Sequence, residues 1–502
     1  MGILGTSRIF SFLALSSILL FSTSIVTAFG DDFLECLNII HLPNTPTIPI
    51  YTQNNASYET ILRFSERNER FSKSIGPKYI ITPTHESHVQ ASVICCKKHG
   101  LDLKVRSGGH DAEGLSYQSD DPSFVILNFV DFRNVSGDVN DGTAWIQAGA
   151  ILSEKSKTYG FPAVVAPTIG IGGHISGGGI VIDARIVNVD GKILNKQTMS
   201  ADLFWAIRGG GGGNFGVILS WKVKLVPGVV VRFLATTTIA NIQKTLGQGA
   251  TDLVHKWQFI AHKLDVNIHR SLLLSVVSDD LGKERTVQAS FSILFVGDGG
   301  AQKIVQLLEE SFPELGLKIE DCIQITWVES HLYLYGSYGQ PLETFLVRET
   351  PKIFFKQKRD HVTVPIPKNG LLELWRTLLE HANFTPTVVF LPYGGKMSEI
   401  SDSELPYPDR QAIYLVFYDA NWANGKMTPY VSKSPRTALV NARDLDLGRY
   451  ENAQDISYQK GRSWGIKYFK NNFDRLVKVK TQVDPENFFW NVQSIPPITH
   501  MK

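Results

Sequence analysis

An α+β chain of two domains is what this sequence predicts, on three observations. It has 502 residues, 43% hydrophobic and 20% charged, enough apolar material for more than one buried core and the balance of a globular protein. Residues 73–227 alternate short apolar strands with helices around three glycine-rich segments, as a nucleotide-binding unit does. From about Arg232 long alternating strands take over, such as Ser271 to Val277, Ser290 to Val296 and Ala412 to Tyr418, interleaved with helical stretches at Gln302 to Ser311 and Leu371 to His381. That pattern predicts an antiparallel sheet covered by helices on one face.

In chain order, residues 1–28 read as a secretory signal: Arg8 precedes the apolar run Ile9 to Leu20, and Val26-Thr27-Ala28 forms a cleavage site. No later stretch holds 18 uninterrupted apolar residues, so no membrane span is expected. Formal net charge is +2, and +1 once Arg8 leaves with the signal. With no basic run, that balance excludes a nucleic-acid footprint. Lys78 to Pro83 reads as a strand stopped by its proline, Glu86 to His99 as a helix with Val89 and Val93 on its apolar side, and Leu103 to Val105 as a strand entering a glycine turn. Phe124 to Phe129 and Ala144 to Ala148 read as strands. Asp183 to Lys192 alternates and ends on Asp190-Gly191, a hairpin signal. Asp202 to Ile207 reads as a short helix and Gly216 to Leu225 as a strand. Near the end, Trp464, Tyr468, Phe469, Phe473, Leu476 and Val477 share a helical stripe, closed by Asp484-Pro485.

The cysteines are Cys36, Cys95, Cys96 and Cys322. Secretion permits a disulfide, and Cys322 lies far from the other three, so a pair is expected among those; buried thiols throughout is the other reading. No Cys/His spacing suggests a metal. Asn55, Asn134 and Asn383 open glycosylation sequons.

The chemistry concentrates in the glycine segments. Val105-Arg106-Ser107-Gly108-Gly109-His110-Asp111-Ala112-Glu113-Gly114-Leu115-Ser116-Tyr117 is a glycine turn with a basic residue before it and a histidine after it. Its glycines let backbone amides approach an anion, and Arg106 can add charge to a pyrophosphate. The second segment, Pro167-Thr168-Ile169-Gly170-Ile171-Gly172-Gly173-His174-Ile175-Ser176-Gly177-Gly178-Gly179, suits close packing on a flat cofactor, and is neither a Rossmann fingerprint nor a P-loop. The third is Gly209 to Gly213 followed by Asn214-Phe215-Gly216, after Asp202-Leu203-Phe204-Trp205.

Together these segments resemble the plant berberine bridge enzyme-like family, and the resemblance runs from about Phe33 to Pro497. It implies a vanillyl-alcohol-oxidase/PCMH-type flavoprotein: an FAD domain at 73–227, with 29–72 and the C-terminal segment 441–502 packed on it, and a substrate domain at 228–440. It implies FAD bonded through its 8α-methyl to His110. The cofactor-binding set it implies is Arg106, Ser107, Gly108, Gly109, Asp111, Gly114, Thr168, Gly170, Gly172, Gly173, Gly177, Gly178 and Val217, with His174 near the flavin N1–C2 edge. The family pattern of an early cysteine and one before the histidine turn fits Cys36 with Cys95, Cys96 being the competing partner.

Four departures from the family stand out. The second covalent anchor, a cysteine, is replaced by Ala166, so attachment is expected through His110 alone, with a lower redox potential than doubly linked members. The residue governing oxygen access is Ile169, between the family's permissive valine and blocking leucine. Gly179 joins directly to Ile180-Val181-Ile182-Asp183, without the family's tyrosine-bearing segment. The acid–base positions hold Leu415, Phe417 and Ala442, none of which takes a proton. Tyr418 is a weak substitute, because alternation puts it on the other strand face from Phe417.

The expected activity is a secreted FAD-linked oxidoreductase, a monomer that passes a hydride from a small hydrophobic metabolite (alkaloid, phenolic or alcohol) to flavin N5 and is reoxidised by O2. The alternatives are a non-redox cyclase with a structural flavin, as some family members are, and a catalytically impaired member.

Overall fold

The computed structural model describes residues 32–498 apart from 41–44, 139, 152–165, 226–235, 266, 279–283, 298, 342, 345–346, 348–351, 381–384 and 424–436. The signal at 1–28 and Asn383 lie outside the described residues. Asn55 and Asn134 are exposed.

Two small sheets build the first half. Strands β1 (Ile50–Tyr51), β2 (Tyr79–Ile81), β3 (Asp102–Arg106) and β4 (Phe124–Asn128) form one sheet in the order β1-β2-β4-β3, with β2 and β3 both parallel to β4. The apolar run Phe124 to Leu127 is wholly buried, as expected of a central strand. The helix Glu86–Lys98 packs on this sheet through Val89 and Val93, and the side chain of His85 caps its N-terminus by accepting from the Ser87 amide. β5 (Val135–Asp138), β6 (Thr143–Gln147), β7 (Asp183–Val187), β8 (Ile193–Leu194) and β9 (Val217–Lys224) form an antiparallel sheet in the order β5-β6-β9-β7-β8. The β7–β8 hairpin turns at Gly191, whose φ of 74° favours glycine.

The second half is one seven-stranded antiparallel sheet. Its strands are β10 (Thr236–Thr245), β11 (Ile268–Ser278), β12 (Arg285–Val296), β13 (Cys322–Thr326), β14 (Phe354–Val362), β15 (Thr385–Pro392) and β16 (Tyr414–Trp422), in the order β13-β10-β12-β11-β15-β16-β14. Leu272, Leu274, Phe291, Phe390, Tyr414 and Val416 share one face and pack on helices Ala250–Ile260, Gly300–Ser311 and Lys368–Glu380. The alternate residues of β16, Leu415 and Phe417, therefore lie on the opposite face.

The C-terminal stripe forms two helices rather than one. Tyr458–Phe469 and Phe473–Val483 are separated at Lys470, which has φ 45°. The break lets both helices turn their apolar sides inward, and all six stripe residues join the core of the first half. Cys36 is bonded to Cys95, tying helix Asp32–Ile40 to helix Glu86–Lys98 across a Cα separation of 5.9 Å. Cys96 is a buried thiol whose pKa is pushed up by burial, and Cys322 is a half-buried one.

A buried ion pair fixes the tail. Lys480 Nζ donates to Asp484 Oδ2, Asn214 O and Phe489 O, each at 2.7 Å. Burial pulls the Lys480 ammonium down to about 8 against the opposing pull of Asp484. Removing one partner of such a pair strands the other charge. Lys480→Met is therefore expected to cost about 3–5 kcal/mol in urea unfolding; a loss under about 1 kcal/mol would show that the pair does not hold the tail.

Candidate active site

The first two glycine segments meet backbone to backbone. A Cβ on Gly108 would lie 2.3 Å from Gly170 N, and one on Gly170 would lie 2.1 Å from Ser107 Oγ and 2.2 Å from Gly108 N. No larger residue fits at either position without displacing main chain. Ser107 Oγ donates to Ala148 O at 2.5 Å, and Gly172 packs on Ala148, so the residue just past β6 buttresses both segments. Gly109 has φ 70°. Among the described residues, no acceptor faces the backbone amides of Gly108, Gly109 and His110. A run of unpaired amides on a glycine turn suits a phosphate. Around Gly173 and Gly213 a Cβ would meet nothing within 4 Å, which leaves open space along the same segments. These features fit an FAD.

His110 is held at both ring nitrogens. Arg67 Nη1 lies 3.1 Å from Nδ1, and Thr168 Oγ1 lies 2.7 Å from Nε2. A guanidinium only donates, so Nδ1 carries the lone pair and Nε2–H donates to Thr168. Burial first, and then Arg67, lower the His110 pKa to about 3. The imidazole is thus neutral, with an unprotonated nitrogen, as a nucleophile requires.

Charged groups join the histidine turn to the second sheet. Lys356 Nζ on β14 contacts Glu113 at 2.5 Å and Asp446 at 3.2 Å, and Lys358 Nζ contacts Asp446 at 2.7 Å. Asn68 Nδ2 donates to Ala112 O at 2.9 Å and Phe355 O at 3.0 Å. The Arg443 guanidinium donates to Gln493 O at 2.7 Å and Asn491 Oδ1 at 3.1 Å, locking the C-terminal segment beside Asp111.

With this geometry in place, comparison with known proteins is decisive. Residues 438–496 match the family model described as berberine and berberine like, and 77–195 match an FAD binding domain. Tetrahydroberberine oxidases of Argemone mexicana and Berberis wilsoniae are 49% and 43% identical to this chain, covering 97% and 98% of it and 96% and 99% of their own lengths. The chain belongs to the berberine bridge enzyme-like family. It is an FAD-dependent oxidoreductase. A monolignol oxidoreductase of Arabidopsis thaliana is 41% identical over 93% of each chain. Among solved structures, berberine bridge enzyme from Eschscholzia californica superposes with a TM-score of 0.82 at 33% identity, covering 94% of this chain and all of that one. The wild-type Phl p 4.0202, a glucose dehydrogenase, gives 0.83 at 35%, with the same coverage. The alignment with the Argemone oxidase runs to 534 positions against a chain of 502 residues, so at least 32 positions hold a residue only in the relative.

Several residues singled out in the sequence take unexpected places. Arg106 does not face a pyrophosphate: it is wholly buried, and its guanidinium donates to Leu62 O and Ile61 O at 2.7 Å each, pinning the preceding segment. Tyr418 packs against the helix-covered core, cross-strand from Lys358, and is not available as a base beside Phe417. Val217 is a buried core residue of β9. Asp111 is half-buried, and its Oδ1 accepts from the Glu113 amide at 3.0 Å. Gly114 has φ 74° and packs on Gln118. His174 sits half-buried on the short helix Ile171–Ser176, its carbonyl accepting from Asn441 Nδ2 at 2.9 Å; Gly177 packs on the same asparagine. Gly178 has φ 143° and touches Tyr407. Leu415 and Ala442 are buried, and Phe417 lies under the Arg359 guanidinium at 3.9 Å. Beyond Gly179, Ile180 and Ile182 are exposed at 56% and 36%, apolar surface with no cover at the junction where the tyrosine-bearing segment was expected to be missing. Sequence reading missed Arg67, Arg359, His361, Tyr393 and Tyr407; the only signal was charge at alternating positions of β14.

Gly170 has an ordinary φ of −77°, so a side chain there is opposed only by contact. Gly170→Ala is expected to lower stability by about 1–3 kcal/mol and to reduce flavin retained after gel filtration. Full retention with unchanged Tm would show that the two segments are not in register.

Proposed function

We propose that the protein is secreted as a monomer, carries FAD bonded only through His110, and oxidises a small hydrophobic plant metabolite, an alkaloid or a phenolic alcohol, with O2 as the final acceptor. The observation that carries the substrate class is an apolar pair on one sheet face. Leu415 and Phe417 occupy the positions where the resemblance places polar acid–base groups, and this face is linked through His361 and Tyr407 to Gly178 and Gly209. A flavin bound along the glycine segments supplies the two-electron acceptor. The protein's own residues do the rest: Gly108, Gly109 and His110 offer amides, neutral His110 offers a nucleophilic nitrogen, and Leu415 with Phe417 excludes water from the bound substrate. The activities for which the tetrahydroberberine oxidases and the monolignol oxidoreductase are named support this class.

The test is spectroscopic. The purified chain is expected to yield a flavin adduct on the peptide containing His110 and none at Ala166. Anaerobic mixing is expected to bleach the flavin with tetrahydroberberine or coniferyl alcohol and not with glucose. Bleaching by glucose alone, or a colourless protein after dialysis, would reject the proposal.

Ile169 sets a second expectation. The wild-type grass-pollen protein is described as a glucose dehydrogenase and an isoleucine-to-valine variant of it as a glucose oxidase. Ile169→Val is expected to accelerate reoxidation by O2 in stopped flow, and Ile169→Leu to slow it. Identical traces for all three would remove this residue from control of oxygen access.

A further inference from the structure

β14 and β16 pair so that His361 lies opposite Leu415 and Arg359 opposite Phe417. Directly opposed residues of an antiparallel pair share a face. The two positions vacated of acid–base groups are thus flanked, one strand over, by a titratable group and a cation. Arg359 is committed: its guanidinium pairs with Asp419 at 2.8 Å and stacks on Phe417. His361 heads a chain of hydrogen bonds. Its Nε2 lies 2.6 Å from Tyr407 Oη, which lies 2.6 Å from Tyr393 Oη. Its Nδ1 lies 2.6 Å from Thr437 Oγ1, which donates to Asp360 Oδ1 at 3.0 Å.

The chain has a direction. Thr437 has one hydroxyl proton and gives it to the Asp360 carboxylate, so Nδ1 must be the protonated nitrogen. Nε2 therefore carries the lone pair, Tyr407 donates to it, and Tyr393 donates to Tyr407. Tyr407 and the His361 side chain are buried, whereas Tyr393 is half-buried. The middle of the relay sits against the cofactor segments: Tyr407 touches Gly178 and Gly209, and Arg410 Nη2 donates to Gly178 O at 2.9 Å. The charged groups around His361 are Asp360 on its own strand, Asp409 at 3.7 Å from Nδ1, Lys470 paired to Asp409, and Arg410 over the Tyr407 ring. Burial holds the imidazole down at about 4, against the pull of Asp360, so it is neutral and able to accept.

We propose that Tyr393, Tyr407 and His361 form a proton-accepting relay that serves an alcohol substrate in place of the absent groups at Leu415, Phe417 and Ala442. The proposal rests on the redox reading above. The substrate C–H leaves as hydride to the bound flavin, its O–H proton passes to Tyr393 as Tyr393 and Tyr407 each hand theirs inward, Nε2 of His361 gains a proton, and the substrate C–O becomes C=O.

Two measurements test it. In long-range proton–nitrogen spectra of holoenzyme with labelled histidine, His361 is expected as the Nδ1–H tautomer at neutral pH; an Nε2–H tautomer overturns the relay. In anaerobic stopped flow, Tyr407→Phe and His361→Gln, each checked for unchanged Tm and flavin content, are expected to lower the ratio of coniferyl alcohol to tetrahydroberberine reduction rates about 100-fold, because only the first substrate must shed an alcohol O–H proton. The wild-type coniferyl alcohol rate is expected to fall only as pH drops through about 4, where His361 becomes protonated. An unchanged ratio overturns the relay, as does a wild type that tetrahydroberberine bleaches and coniferyl alcohol does not. A wild type that neither bleaches overturns the redox reading instead, and the tautomer then decides the relay alone.

Discussion

The close approach of Gly108 and Gly170 is the constraint on which the site depends. Two main chains packed at 2.2–2.3 Å from where a Cβ would sit leave no tolerance for a side chain on either. Their contact fixes the distance between the histidine turn and the second segment, and so brings Thr168 to His110 Nε2. Among the described residues, the Gly108–His110 amides make no backbone hydrogen bond beside this packing. A cradle built this way is rigid because it is backbone, and a rigid cradle presents one orientation of a flat cofactor to whatever lies opposite.

What lies opposite is placed by charge. Glu113, three residues beyond His110, is buried and receives Lys356 from β14, while Asp446 from the C-terminal segment receives both Lys356 and Lys358. Three chain segments remote in sequence therefore converge on one network, buried at Glu113, Lys356 and Lys358 and open to solvent at Asp446. Isolated, each charge would be costly to bury; together they offset one another, and the geometry that satisfies them is narrow. The Lys480–Asp484 pair repeats the device, holding the tail against Asn214 of the third glycine cluster. The first half and the seven-stranded sheet are thus held in register by polar contacts, and the apolar cores on either side supply bulk stability.

How much of this could be read beforehand differs by element. The glycine segments were legible because only glycine fits where backbone meets backbone, so the constraint is written as composition. Strands such as Phe124–Asn128 and the β7–β8 hairpin were legible from local pattern and turn chemistry. The tail was legible as an apolar stripe, but its break at Lys470 was not, since a lysine at positive φ carries no local signal and is imposed by packing. Arg106 misled because a basic residue before a glycine turn looks alike whether it faces a phosphate or caps the Leu62 and Ile61 carbonyls. Which is true depends on residues forty positions away, brought near by the fold. The Tyr393–Tyr407–His361 chain was invisible for the same reason: each member is an ordinary residue in its own neighbourhood.

Register explains why chemistry can leave one strand and reappear on the next. A site on an antiparallel sheet is a patch of one face, and that patch draws alternate residues from every strand crossing it. Leu415 and Phe417 offer no proton-accepting group on β16, yet the patch includes His361 and Arg359, supplied by β14 at the directly opposed positions. The exchange leaves the sheet's helix-covered face, with Tyr414 and Val416, untouched. On the proposed reading it also changes what the patch would bind. On the proposed reading, a neutral imidazole behind two tyrosines would receive a proton from a hydroxyl at the rim, beside the apolar pair Leu415 and Phe417. A substrate suited to such a face has one ionisable O–H near its reacting carbon and a hydrophobic body. A sugar, with hydroxyls on every side, would leave most of them unpaired against Leu415 and Phe417.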